Sequence, residues 1–194
     1  MGYEEIAARL LEEVESIEHE VQAVYGAIVR PRWDSDKRRF PSTLYGLIMT
    51  CFATVDLASR YWAGYDSPQT PRMLAFLDRY VGPRKEAHDV AVQMWRHTLM
   101  HIGTPRIITD TRTHMRYNWV LYWSDEHISD TDHMTFKPYD SRQRTLWLSL
   151  MGLVKDLRRG LDGYVVELRE DAELQKRLLD QHVEIEDQRF RTRD

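Results

Sequence analysis

The chain has 194 residues, 42% of them apolar, which is enough for one well-buried core and argues against a division into two domains. Its 27 basic and 31 acidic residues leave a net charge of −4, so the whole molecule is no electrostatic magnet for nucleic acid, and any such contact must come from a local patch. The lone cysteine, Cys51, excludes an internal disulfide framework and an all-cysteine metal site, and its apolar neighbours suit a buried thiol better than a nucleophile.

The N-terminal residues Met1-Gly2-Tyr3-Glu4-Glu5 lead straight into an acidic, amphipathic pattern without a targeting signal. The most apolar run, Leu44 to Val55, is closed by Asp56 and is too short for a bilayer span. The expectation is a soluble cytoplasmic protein that makes no membrane contact.

Ile6, Leu10, Val14, Ile17, Val21, Val24 and Ile28 draw one apolar stripe along a helix over residues 3–29. Arg30-Pro31-Arg32 ends it, and the following polar loop carries Lys37-Arg38-Arg39, a cluster that is either a solvated surface or a phosphate contact. Pro41-Ser42 opens a second helix to about Ala63, whose apolar residues point in nearly every direction and so predict a central, buried element. Asp56 is the anomaly there. A carboxylate in such a helix needs a partner, either a structural Arg or a member of a site. Thr70-Pro71 precedes a short third helix, 72–81, stopped by Gly82-Pro83. A fourth helix, about 84–102, buries Ala87, Val90, Ala91, Met94 and Trp95 and ends at Gly103 and Pro105.

From Arg106 the period changes to two. Ile107-Ile108 and Tyr117–Trp123, joined across a Thr-Arg-Thr-His turn, predict a β-hairpin, and His133–Lys137 a third short strand that Pro138 ends. Asp140-Ser141 then reads as the cap of a last long helix burying Leu146, Leu150, Leu153, Leu157, Leu161 and Leu168, with a polar tail that frays after about 182. The expected fold is mainly α: an antiparallel four- to five-helix bundle with a small hairpin or three-stranded insertion before the last helix. It forms a single domain, 1–194, with a helical core over about 3–105 and 140–182, a β insertion over about 106–138 and a tail at 183–194.

Chemistry concentrates at Met94–Pro105, where Arg96, His97 and His101 occupy the last turns of a helix that visibly stops. Arg supplies a positive fork for phosphate, and His moves protons near neutral pH. Spacing alone carries little weight, because a composition this rich in Arg, with eight His, yields about one chance Arg-x4-His match. The sequence holds two. Arg177–His182, with Leu178 beside the Arg and no stop after the His, reads as a chance match on an exposed helix end. Arg96–His101 has a polar neighbour, His97, and a Gly-Thr-Pro terminator. On an ideal α-helix these two side chains stand about 140° apart, so they converge only through the reach of Arg96 or a loosened last turn. A symmetric second chain would bring two copies around one phosphate.

The order of Thr54-Val55-Asp56, Arg72-Met73-Leu74-Ala75-Phe76-Leu77, Tyr80 and Trp95-Arg96-His97-Thr98-Leu99-Met100-His101 resembles the HEPN superfamily over roughly residues 42–105. The resemblance implies an all-helical homodimer whose motif helices meet at a shared cleft, acting in many members as a metal-independent ribonuclease in toxin, defence or stress systems. It implies that Arg96 holds the scissile phosphate, His101 carries the proton of 2′-hydroxyl attack, and His97 is the polar supporting residue, with Asp56 as a further support and no cofactor. The product would be a 2′,3′-cyclic phosphate. Gly103 stands where members silenced by a nucleotidyltransferase antitoxin carry a Tyr, which disfavours that subtype; the identity of any antitoxin or regulatory partner stays open. Non-catalytic members exist, so a binding or scaffold role is the alternative.

Two readings need no family. His97 and His101 share one helical face at i, i+4, a spacing that lets two imidazoles bind one metal, with Asp56 or His114 as third ligand of a metal-dependent hydrolase. Alternatively Arg96 and His101 only cap and pair at a helix end. On the hairpin, Tyr117, Trp119, Leu121 and Trp123 alternate on one face. They stack RNA bases, with Arg106, Arg112 and Arg116 as the charge, or, as such faces more often do, cover a helix or a partner chain.

Overall fold

The computed structural model describes residues 1–29, 43–98, 106–122 and 130–188. Helix α1, Tyr3–Val24, buries the expected stripe of Ile6, Leu10, Val14, Ile17 and Val21, and continues through a widened π-helical stretch, Tyr25–Val29. Helix α2, Thr43–Ala63, buries Leu44, Ile48, Cys51, Phe52, Val55 and Ala58. Helix α3, Gln69–Phe76, widens into a π-helical end at Leu77–Val81, where Gly82 at φ 130 turns the chain away. Helix α4, Lys85–Ala91, widens likewise over Val92–Thr98.

The sheet follows: β1 Ile108–Thr109, β2 Arg116–Tyr122, β3 Thr135–Asp140 and β4 Gln143–Ser149. Its order is β1-β2-β4-β3, with β2 and β4 parallel and both outer pairs antiparallel; Trp119 stands opposite Leu146. Helices α5, Leu150–Glu170, and α6, Ala172–Gln188, close the described chain. Helix α2 touches α1, α3, α4, α5 and α6, so it is central as its all-round apolar character predicts. Among the described residues, no helix is long and apolar enough to cross a membrane.

Several expectations are corrected. The sheet has four strands, because Gln143–Ser149 is a strand and not the start of a helix: Leu146 and Leu148 are buried with Trp147 half-buried between them, and the strand pairs with both β2 and β3. Asp140 caps no helix. Its Oδ1 accepts the Arg142 amide at 2.7 Å in the β3–β4 turn, and β3 runs past Pro138 to Asp140 as an edge strand. The helix cap is Ser149, whose Oγ accepts the Gly152 amide at 3.0 Å. The long terminal helix is also interrupted at Asp171, which is extended and caps α6 by accepting the Leu174 amide at 3.0 Å; α6 then continues through residue 188, where fraying was expected from 183.

Sheet and helices share one core. Tyr117 and Leu121 are buried, and Trp119 packs edge-on against Trp95, with ring centroids 4.9 Å apart, and against Tyr45 at 6.2 Å. The aromatic face of the hairpin therefore covers helices α2 and α4, the commoner of its two expected roles; Trp123 lies outside the described residues.

Candidate functional site

The carboxylate of Asp56 does have a partner, and in fact three. Oδ1 accepts from Arg72 Nη2 at 2.8 Å, while Oδ2 accepts from Arg96 Nη2 at 3.2 Å and from Gln69 Nε2 in a short contact. Three elements converge here. Asp56 comes from the middle of α2, Gln69 and Arg72 from the first turn of α3, and Arg96 from the widened end of α4, where Met94 and Trp95 are fully buried and fix the rotation of the helix. Two guanidinium groups thus share one carboxylate. The side chains are 20% (Asp56), 10% (Arg72) and 18% (Arg96) exposed, so these contacts are screened less than on an open surface.

Because Oδ2 serves Arg96 and Gln69, Asp56 engages Arg72 through one oxygen only. Arg72 Nη1 turns to the Ser67 carbonyl at 3.1 Å, and its buried Nε–H has no hydrogen-bond acceptor among the described residues. Asp56, Gln69 and Arg72 line an open cleft of about 610 Å³ together with Arg60, Tyr65 and Asp66.

The structure thus joins Asp56 to Arg96, and adds Arg72 and Gln69 to the predicted set. His97 lies on the backbone of the α4 end, but its side chain, and the whole of His101, lie outside the described residues, as does Lys37-Arg38-Arg39. Arg106, Arg112 and Arg116 are all exposed. Arg112 sits in the β1–β2 turn, where its amide donates to Asp110 Oδ1 at 2.7 Å. It lines a separate cleft of about 700 Å³ together with Lys85, Glu86, Asp89 and Asp110, where acidic groups outnumber basic ones.

The second Arg-x4-His match lies on α6, with Arg177 exposed and His182 half-buried. Arg177 Nη1 donates to the Trp62 carbonyl at 2.6 Å, and His182 Nδ1 pairs with the Tyr61 hydroxyl at 3.2 Å, so both hold α6 against the end of α2.

Two buried histidines escaped the sequence reading. His133 Nδ1 accepts the Ser149 amide at 3.1 Å, so its ring is neutral with the proton on Nε2, which donates to Asp156 Oδ2 at 3.1 Å. Asp156 also receives Arg84 at 3.0 Å and Arg159 at 2.5 Å. His88, 1% exposed, pairs through Nδ1 with Asp78 at 3.2 Å, and burial holds its pKa below the ordinary value. Cys51 is buried, and desolvation pushes its thiol up to about 12.

Among the described residues, no group of three or more His, Cys, Asp or Glu is placed to hold a metal ion. Asp56 is taken up by its three donors, and His114 stands in the hairpin turn at φ 57. No protein-family model, characterised protein or solved structure matches the chain.

Proposed function

We propose that this chain is a metal-independent endoribonuclease of the HEPN type. It would work as a homodimer of antiparallel helical bundles, with Arg96 as phosphate holder and His101 as proton carrier. The observation that carries the reading is the Arg96–Asp56 contact. A guanidinium tied through one Nη to a carboxylate on a buried helix is held in a fixed orientation, which is what stabilising the charge of a phosphoryl-transfer transition state requires.

In the reaction an imidazole takes the proton of the 2′-hydroxyl, whose oxygen forms a bond to phosphorus. The bond from phosphorus to the 5′-oxygen breaks, and a second imidazole, His101 of the other copy, protonates the leaving oxygen. Arg96 balances charge on the phosphoryl oxygens, and His97 is the polar supporting residue. The products are a 2′,3′-cyclic phosphate and a 5′-hydroxyl, and no metal takes part. Incubating RNA with the purified protein in EDTA tests this. Cleavage is expected, and cleavage equal to that of His101→Ala contradicts it.

One observation favours a second reading, a helical binding or scaffold protein. The same Asp56 that orients Arg96 also binds Arg72, so the cluster ties α2, α3 and α4 together whether or not it meets a substrate.

A further inference from the structure

Gly64, at φ 86, ends α2 in the left-handed conformation that glycine adopts without strain, and swings the chain into a turn that sets Tyr65 at the lip of the 610 Å³ cleft. Tyr65 is 53% exposed, the guanidinium of Arg60 lying 4.6 Å from its ring centroid. The Arg60 side chain is 17% exposed: Nε donates to Gln181 at 3.4 Å, and Nη2, 3.8 Å from the Glu184 carboxylate, is buried without a hydrogen bond among the described residues. The cleft thus offers an exposed aromatic ring, a cation beside it whose hydrogen bonds are only partly met, and an amide and a second guanidinium in its lining, with a volume in the range of small-molecule sites.

We infer that this cleft seats one nucleotide of a single-stranded RNA, next to the phosphate held by Arg96. The base stacks on Tyr65 and its phosphate is drawn to Arg60. The substrate class rests on the ribonuclease reading above; the place rests on the cleft. Asp56 joins the two, because it forms part of the cleft wall and also binds Arg96 at 3.2 Å. Asp56 and Asp66 offset Arg60 and Arg72, so the cleft is no groove for a polyanion. It gains from a single splayed nucleotide, whereas a duplex keeps its bases stacked inside and cannot offer one.

The test is fluorescence anisotropy with a labelled 2′-O-methyl oligoribonucleotide, in which the attacking hydroxyl is blocked and binding is read without cleavage. Tyr65→Ala is expected to weaken single-strand binding about tenfold, and Tyr65→Phe to bind like the native chain. A duplex of the same sequence should bind no better than the single strand binds to Tyr65→Ala. Unchanged affinity in Tyr65→Ala, equal affinity for duplex and single strand, or no single-strand binding at all overturns the inference. RNA cleavage that depends on His101, with binding indifferent to Tyr65, defeats the cleft and leaves the ribonuclease reading standing. Binding that depends on Tyr65, without any cleavage, does the reverse.

Discussion

Asp56 Oδ2 and Arg96 Nη2 stand 3.2 Å apart although forty positions separate them in the chain. The contact joins the middle of the central helix to the end of α4, and Arg72 completes it from a third helix. Removing the shared carboxylate leaves two partly buried cations facing each other. Asp56→Ala should therefore lower the unfolding free energy by about 1–3 kcal/mol. Arg96→Ala should cost less, about 0.5–1 kcal/mol, because Asp56 retains Arg72 and Gln69. Urea denaturation of the two variants checks the order, and an Arg96→Ala protein as unstable as Asp56→Ala would make Arg96 mainly structural.

Much of the helical part was legible because its signals are local: the apolar stripe of α1, the all-round apolar α2, and Gly82 as a stop. The β4–α5 boundary was not, because Leu146, Leu148 and Leu150 alternate directly into Leu153, Val154 and Leu157, and the two periods share Leu150. Asp140-Ser141 looked like a helix cap although its bond closes a strand turn, while Ser149, the true cap, stood inside an apolar run. At the site, the need of Asp56 for a partner was readable, but Arg72 as that partner was not, since it depends on how α3 docks on α2. His133 and His88 escaped notice for the same reason: their acceptors and donors come from other elements.

Gly152 lies against the His133 ring, and a Cβ there would come within 2.5 Å of the imidazole Cγ. Gly152→Ala should destabilise the protein by about 1–3 kcal/mol through forced displacement of a buried ring. Gly46, exposed in α2 with no atom of the described residues within 4 Å of a Cβ, supplies the contrast, and Gly46→Ala should stabilise by about 0.5–1 kcal/mol. Thermal denaturation of both variants reads the opposite signs, and a loss at Gly46 would contradict the packing described for α2.

Stability should fall on acidification through His88. Burial keeps its folded pKa below the ordinary 6.5, so below that pH the unfolded chain takes up a proton that the folded protein refuses. The contribution is intact above about 6.5 and is lost as the pH drops from there toward the lowered folded value. His88→Gln should flatten the stability profile between pH 7 and 5, measured by denaturation at each pH; an unchanged slope would place the acid sensitivity elsewhere.

Cys51, with its thiol raised to about 12 by burial, should resist alkylation by iodoacetamide at pH 8 in the native state and react promptly in denaturant. Rapid labelling without denaturant would show that α2 opens, and would count against its central position.

The most direct measurement is analysis of the ends produced when the purified protein is incubated with RNA in EDTA. The account predicts cleavage leaving 2′,3′-cyclic phosphate and 5′-hydroxyl ends, reduced at least about a hundredfold in folded His101→Ala and Arg96→Ala proteins. Intact RNA with the native protein, or equal cleavage by either variant, would contradict it.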